Sequence, residues 1–275
     1  MPLVINPKGW LDNFLDSERD VARALLESFI YLNQESTEQL LISAFRSIST
    51  MCSPGHFSGA RTDPQVWDQL RQGITVTYPT GENPNPTDSG HLFVRRTRQV
   101  MGISETQIMD PGGAVQRLID DPTSPLVMID DFAGSGDQFL KTWTREYDTS
   151  LGRMSLANLA GIQPVEIYYV AAIVTWMAHQ RITVGAPGVR ICSGHRLSGR
   201  YSVTDSRSVV LPDSLRTQAR AVISASSARA GILPAWNFGY HGLALTIAFS
   251  HSVPDATLPI YWHQSDTWKA LVPRS

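Results

Sequence analysis

The chain has 275 residues, 42% of them hydrophobic, enough for a sizeable core in one large domain or in a domain with an extension. Its 23 basic and 25 acidic residues leave a formal net charge of −2, which excludes the broad basic footprint of unspecific nucleic-acid binding. Cys52 and Cys192 stand far apart and in no C-x-x-C arrangement, which argues against a disulfide framework or a structural zinc site.

Met1-Pro2-Leu3-Val4-Ile5-Asn6 lacks the basic start and long apolar run of a signal peptide. The longest apolar window, around Tyr168 to Met177, is too short to cross a bilayer. A cytoplasmic protein without a membrane partner is expected. Leu271-Val272-Pro273-Arg274-Ser275 resembles a protease-site scar and is given no weight.

Trp10, Leu11 and Phe14, then Val21, Ala22, Leu25, Leu26, Phe29 and Ile30, repeat at helical spacing. Ser36-Thr37-Glu38-Gln39 has the form of a capping box ahead of a second stripe of Leu40, Leu41, Ala44, Phe45 and Ile48. Asp63-Pro64 reads as a cap and first helical position, and Gly73 as the stop. Residues 1–73 are therefore expected to form a helical region without chemistry, and residues 74–275 an α/β domain.

Ile74-Thr75-Val76-Thr77-Tyr78 alternates as a strand. A turn-rich loop follows, from Thr80 through Glu82 to Ser89-Gly90, and then a helix from His91 to Gly102 carrying Arg95, Arg96 and Arg98. Ser89 and Gly90 at that helix start can donate N–H groups to an anion, with the arginines adding charge-assisted bonds. An ordinary surface loop beside a solvated basic face is the alternative. Thr106-Gln107-Ile108-Met109 is a short strand candidate and residues 114–119 a short helix candidate.

The chain is organised around residues 125–139. Leu126-Val127-Met128-Ile129 reads as a buried strand of a parallel sheet, and Asp130 and Asp131 are expected where that strand ends. Ala133, Gly134, Ser135 and Gly136 form a turn, and a helix begins near Asp137. Ligands of open α/β sheets bind beyond the carboxyl ends of the strands. A glycine-rich turn at a helix start presents N–H groups and a positive dipole end to a phosphate. An acid pair that holds diol hydroxyls, next to a turn that holds a phosphate, is a sugar-phosphate site.

Residues 138–160 are expected to continue as helix, broken near Gly152. Residues 165–174 and 189–192 read as further strands, and strand–helix alternation from Ile74 onward indicates a parallel α/β sheet. A helix is expected over 213–228. Phe238-Gly239-Tyr240-His241-Gly242 then forms a glycine-framed turn into an apolar helix, where Tyr240 and His241 are possible ligand contacts.

The acidic segment resembles the phosphoribosyl-pyrophosphate (PRPP) motif of type I phosphoribosyltransferases. With Gly239-Tyr240-His241-Gly242 and Thr257-Leu258-Pro259-Ile260-Tyr261-Trp262, the chain is similar to the phosphoribosyltransferase-like effectors of bacterial conflict systems. The resemblance implies a Rossmann-like parallel core behind an N-terminal helical region. It implies ribose hydroxyl contacts and catalytic roles for Asp130 and Asp131, and 5′-phosphate contacts for Ala133 to Gly136. Pyrophosphate would lie at the Ser89-Gly90 loop, with Mg²⁺ bridging it to the ribose hydroxyls and touching the acid pair through them. It also implies antiphage defence, with a partner protein or ribonucleoprotein from the same operon. Asp137 departs from the pattern, which carries Thr or Ser there; it is expected either to cap the helix or to weaken the phosphate site. Glu82, Asp137 and His241 are the candidates for activating a nucleophile. A nucleotide sensor without turnover and a nucleotide or NAD glycosidase are the alternatives, and a doubly wound sheet whose acids bind a metal or another nucleotide also stays open.

Overall fold

The computed structural model describes residues 5–52, 64–81 and 89–274. In chain order it contains α1 (Pro7–Leu11), α2 (Arg19–Glu27), β1 (Ile30–Leu32), α3 (Gln34–Cys52), α4 (Pro64–Gly73), β2 (Thr75–Thr77), α5 (Ser89–Met101) and α6 (Pro111–Asp120). Then follow β3 (Leu126–Ala133), α7 (Asp137–Thr144), β4 (Tyr147–Thr149), β5 (Gly152–Met154), α8 (Leu156–Ile162), β6 (Ile167–Thr175), α9 (Trp176–Gly185), β7 (Arg190–Leu197), α10 (Asp213–Ala230) and β8 (Ile247–Phe249). None of the described helices is long and apolar enough to cross a membrane.

The chain divides into two compact units, Glu38–Arg196 and Met1–Thr37 with Leu197–Ser275. This partition differs from the boundary at residue 73 expected from helical patterning. Its physical cause is aromatic packing. Trp10 stacks on Tyr261 at 5.1 Å, and Phe14 meets Trp268 edge-on at 5.3 Å. The indole N–H groups of Trp10 and Trp268 both donate to the Ile260 carbonyl, at 2.7 and 2.9 Å. A helical stripe shows that it needs a partner, but not which one.

In the Glu38–Arg196 unit, a parallel sheet runs in the order β2-β3-β6-β7. It is the α/β architecture expected from the alternation. β6 is buried at every position and β3 at nearly every one, as a strand covered on both faces must be. Val127, Ile129, Tyr168 and Val170 pack with α3 and α5 on one face. Leu126, Met128, Tyr169 and Ala171 pack with α6 to α9 on the other. The two sets alternate along each strand, as the pleat requires.

In the other unit, β1 and β8 form a two-stranded parallel sheet with Ile30 opposite Ile247. The apolar helix expected after Gly242 is therefore corrected to a short strand. His241 and Ala244 take positive φ, which breaks any helix, and Ile247 and Phe249 suit a strand that has a partner. Leu271 and Val272 are fully buried in this core, and the Leu271 N–H bonds the Tyr261 carbonyl at 2.8 Å. Leu271 and Val272, set aside with the scar, thus belong to the fold.

Three local readings also change. The cap of α3 is Asn33, whose Oδ1 accepts from the Ser36 N–H at 2.8 Å, not the Ser36-Thr37 box. Between α7 and α8 lies an antiparallel hairpin, β4 with β5, made possible by Gly152 at φ +93°. Residues 105–107 form a single 3₁₀ turn, and only Ile108 bridges to Val76. Asp63 lies outside the described residues.

Candidate functional site

The site begins where β3 runs past its apolar half. The strand continues through Asp130 and Asp131 to Ala133, so the carboxylates do not mark its end as expected. Both are buried, at 3% and 6% exposure. Such burial costs a carboxylate its hydration unless protein groups replace it. Tyr169, on the neighbouring β6, donates its hydroxyl to Asp130 Oδ2 at 2.7 Å, and the Asp131 N–H donates to Asp130 Oδ1 at 2.9 Å. These bonds do not outweigh the desolvation. Burial, followed by the adjacent Asp131 charge, pushes the Asp130 carboxyl well above the usual carboxylate range, and a hydrogen bond between the two acids adds to it. Asp130 thus keeps its proton to a higher pH than an ordinary carboxylate does. The Tyr169 hydroxyl is itself pushed up, first by burial and then by Asp130.

Beyond β3 the chain turns sharply onto α9. Gly136 is the N-cap of α7 at φ +81°, and a Cβ there would sit 3.2 Å from Ile182 Cγ1 and 3.3 Å from Ala178 Cα. Only glycine meets both demands without strain. Thr175, the N-cap of α9, donates its hydroxyl to the Gly134 carbonyl and accepts from the Ala178 N–H. Ser135 Oγ accepts from the Asp137 N–H at 3.2 Å. Arg181 of α9 donates to the Ser135 carbonyl at 2.9 Å and pairs with the Asp137 carboxylate at 2.5 Å. The turn is therefore braced from α9 rather than loosely draped over the sheet.

A second brace holds the exit of β2. The Thr80 N–H donates to Thr142 Oγ1 at 2.9 Å, inside the protein. Arg145 donates to Thr80 Oγ1 and, at 2.7 Å, to the Gly81 carbonyl. The start of the loop after β2 is thereby tied to the helix that follows the acidic turn. The arrangement offers a carboxylate pair, a glycine turn opening onto a helix start and a guanidinium in one short span, the components for gripping a polyol that carries a phosphate.

Across residues 7–274 the sequence matches the PRTase-CE family. The chain belongs to that family. No curated protein and no solved structure gives a significant match.

In this PRTase-CE protein the expected site residues fall into three groups. Asp130, Asp131, Ala133, Gly134, Ser135, Gly136 and Asp137 form one continuous strand–turn–helix unit. Asp137, however, is neither the cap nor an uncompensated charge: Gly136 is the cap, and Arg181 neutralises the carboxylate. Ser89 and Gly90 open α5 as expected, while residues 82–88, including Glu82, lie outside the described residues. Arg95 is exposed on α5, and Arg98 pairs with Glu105 at 3.0 Å. Tyr240 and His241 belong to the other compact unit.

Arg181, Tyr169, Thr175, Thr142 and Arg145 escaped the sequence reading. Each lies on an element whose apolar pattern explains its position without chemistry, so none stands out along the chain. Among the described residues no group of three or more His, Cys, Asp and Glu side chains forms a metal cage. The oxygen donors of the acid pair nonetheless suit Mg²⁺, which commonly takes one or two carboxylates and completes its shell with phosphate oxygens and water.

Proposed function

We propose that this phosphoribosyltransferase-like protein binds PRPP or a related ribose-phosphate nucleotide at the β3–α7 turn, and acts as a transferase in bacterial antiphage defence. One observation carries the binding reading: a buried acid pair leads directly into a glycine-capped helix start whose only carboxylate is already neutralised by Arg181. The ribose hydroxyls would meet the carboxyls of Asp130 and Asp131. The 5′-phosphate would take the N–H groups of the Gly134–Gly136 turn and the positive end of α7. The defence role and an operon partner rest on the resemblance of the three sequence motifs.

In a transfer, the bond from the anomeric carbon to pyrophosphate breaks and leaves a sugar with oxocarbenium character. The acid pair holds the ring by its hydroxyls and places negative charge near the developing cation. When bound, Mg²⁺ supplies charge neutralisation for the pyrophosphate. A nucleotide sensor is the second reading, favoured by the Tyr169 bond that ties Asp130 into the core.

The test is a melting curve with PRPP. At about 100 times the dissociation constant, bound ligand adds roughly 2.7 kcal/mol to the native state, a rise of about 5–10 °C. The rise is expected only with Mg²⁺ and is lost when Asp130→Asn and Asp131→Asn are combined. Pyrophosphate release separates the transferase from the sensor, and release of a base from a nucleotide would instead make the protein a glycosidase. A flat response to millimolar PRPP with Mg²⁺ would remove the reading.

A further inference from the structure

The unit formed by Met1–Thr37 and Leu197–Ser275 contains a cavity of about 430 Å³, within the range of small-molecule sites. Trp236, Tyr240, Trp262 and His263 wall it, with Asp255 and Arg274 as its charged members. The Trp236 and Tyr240 rings stack within 15° of parallel at a centroid separation of 6.3 Å. Trp236 is 49% exposed and its neighbour Leu233 is 68% exposed, so the apolar rim faces solvent.

The backbone that presents Tyr240 is strained and tightly held. Gly239 has φ +71°, and a Cβ there would lie 2.9 Å from the carbonyl oxygens of both Ala256 and Thr257. The Tyr240 N–H bonds the Asp255 carbonyl at 2.8 Å. His241 and Ala244, neither of them glycine, take φ of +54° and +48°. Strain of this kind persists where the surroundings over-determine it, and it collects at ligand clamps. The cavity is thus preorganised.

The polar pair narrows the ligand class. Arg274 is ion-paired with Asp255, and its guanidinium lies 5.2 Å over the Trp262 ring. The cation that an aromatic cage would seek is therefore already supplied by the chain. What remains is aromatic surface for stacking, beside a carboxylate acceptor and a guanidinium donor in the same wall. That combination suits a planar, uncharged heteroaromatic ring with hydrogen-bonding groups along its edge.

We propose that this cavity is a second ligand site that binds a nucleobase, carried on a free nucleoside. The base stacks on Trp236 and Tyr240 and presents its edge to Asp255 and Arg274. The inference is independent of the ribose-phosphate site, since every residue it uses lies outside the Glu38–Arg196 unit.

Calorimetric titration of the full chain with adenosine, guanosine, cytidine and uridine tests it. At least one nucleoside is expected to bind, and excess ribose 5-phosphate should not compete. Trp236→Ala removes a half-exposed ring and should leave the melting temperature unchanged while weakening binding about 5- to 150-fold, the usual range for one base–aromatic stack. Asp255→Asn should alter the preference among the four bases. Absence of binding by all four at millimolar concentration would overturn the proposal, and so would an affinity unmoved by both Trp236→Ala and Tyr240→Ala. Binding of choline in place of every nucleoside would make the cavity a cation cage and overturn it as well. Loss of nucleoside binding in the folded Asp130→Asn, Asp131→Asn variant would place the base at the strand-end site, and the proposal would fall.

Discussion

Tyr169 donates its phenolic hydroxyl to Asp130 across 2.7 Å, from one central strand of the parallel sheet to the next, with both side chains inside the protein. The bond joins the residue that opens the acidic turn to the middle of the core. It gives the candidate site a polar group whose protonation is tied to folding.

That tie sets a pH dependence. Burial raises the Asp130 pKa, so the native state keeps a proton that the unfolded chain releases near its ordinary value of about 3.9. Between those two values the native state binds more protons, and stability falls as pH rises. The contribution is complete at acid pH and lost as pH climbs through the raised value. Asp130→Asn removes this slope while keeping an acceptor for Tyr169. Each tenfold of proton affinity is worth about 1.4 kcal/mol, or about 3–5 °C for a chain of this size. The variant is therefore expected to melt above the wild type at pH 8 and to match it more closely at pH 4. Parallel melting-temperature profiles for the two proteins would refute the assignment.

Tyr169→Phe deletes the donor and leaves Asp130 short of a bond. Stranding a buried polar group costs about 1–3 kcal/mol, so this variant should melt about 2–12 °C lower. In a double-mutant cycle with Asp130→Ala, which removes the acceptor, an interaction energy of at least about 0.5 kcal/mol is expected for residues in direct contact. Strict additivity in denaturant unfolding would show that the hydroxyl and the carboxyl act separately.

The Arg181–Asp137 pair makes opposite predictions for its two members. Arg181 is more than a third exposed, so screening by solvent limits the pair to less than about 1 kcal/mol of stability. Asp137→Thr should thus barely alter the melt, and it frees the guanidinium beside the turn. Binding of ribose 5-phosphate is expected to tighten several-fold in Asp137→Thr and to weaken in Arg181→Met. Weaker binding in Asp137→Thr would assign the carboxylate a direct role at the ligand.

Gly136→Ala probes the turn itself. A methyl group there must accept φ +81° and press on the α9 backbone at 3.3 Å. A cost of about 1–3 kcal/mol follows from strain of this type. The variant should unfold about 2–12 °C lower and lose phosphate affinity more sharply than Ser135→Ala. An unchanged melt would mean that the turn can relax away from α9.

Much of this was already present along the chain, and the division has a physical basis. The apolar run at 126–129 and the β-branched, aromatic run at 165–174 marked buried strands, because such strands need no polar alternation. The order acid pair, small-residue turn, helix start is a local feature and could be read locally. The sequence alone therefore determined the parallel α/β class and the position of the β3–α7 turn. The tertiary structure decided everything that depends on who meets whom. Trp10 and Phe14 looked like the core of a separate helical region, but Tyr261 and Trp268, from the far end of the chain, complete that core. Residues 243–249 carried apolar character that suits helix or strand, and Ile30–Leu32 settled it by offering an edge to pair with. Asp137 had two readings until Arg181 supplied a third, and Asp130 looked like an acid at a strand end until burial, opposed by the Tyr169 bond, raised its proton affinity. Periodicity records how much surface a segment must bury. A charge's partner, a strand's neighbour and a carboxyl's proton depend on residues distant in sequence, and only the folded chain brings them together.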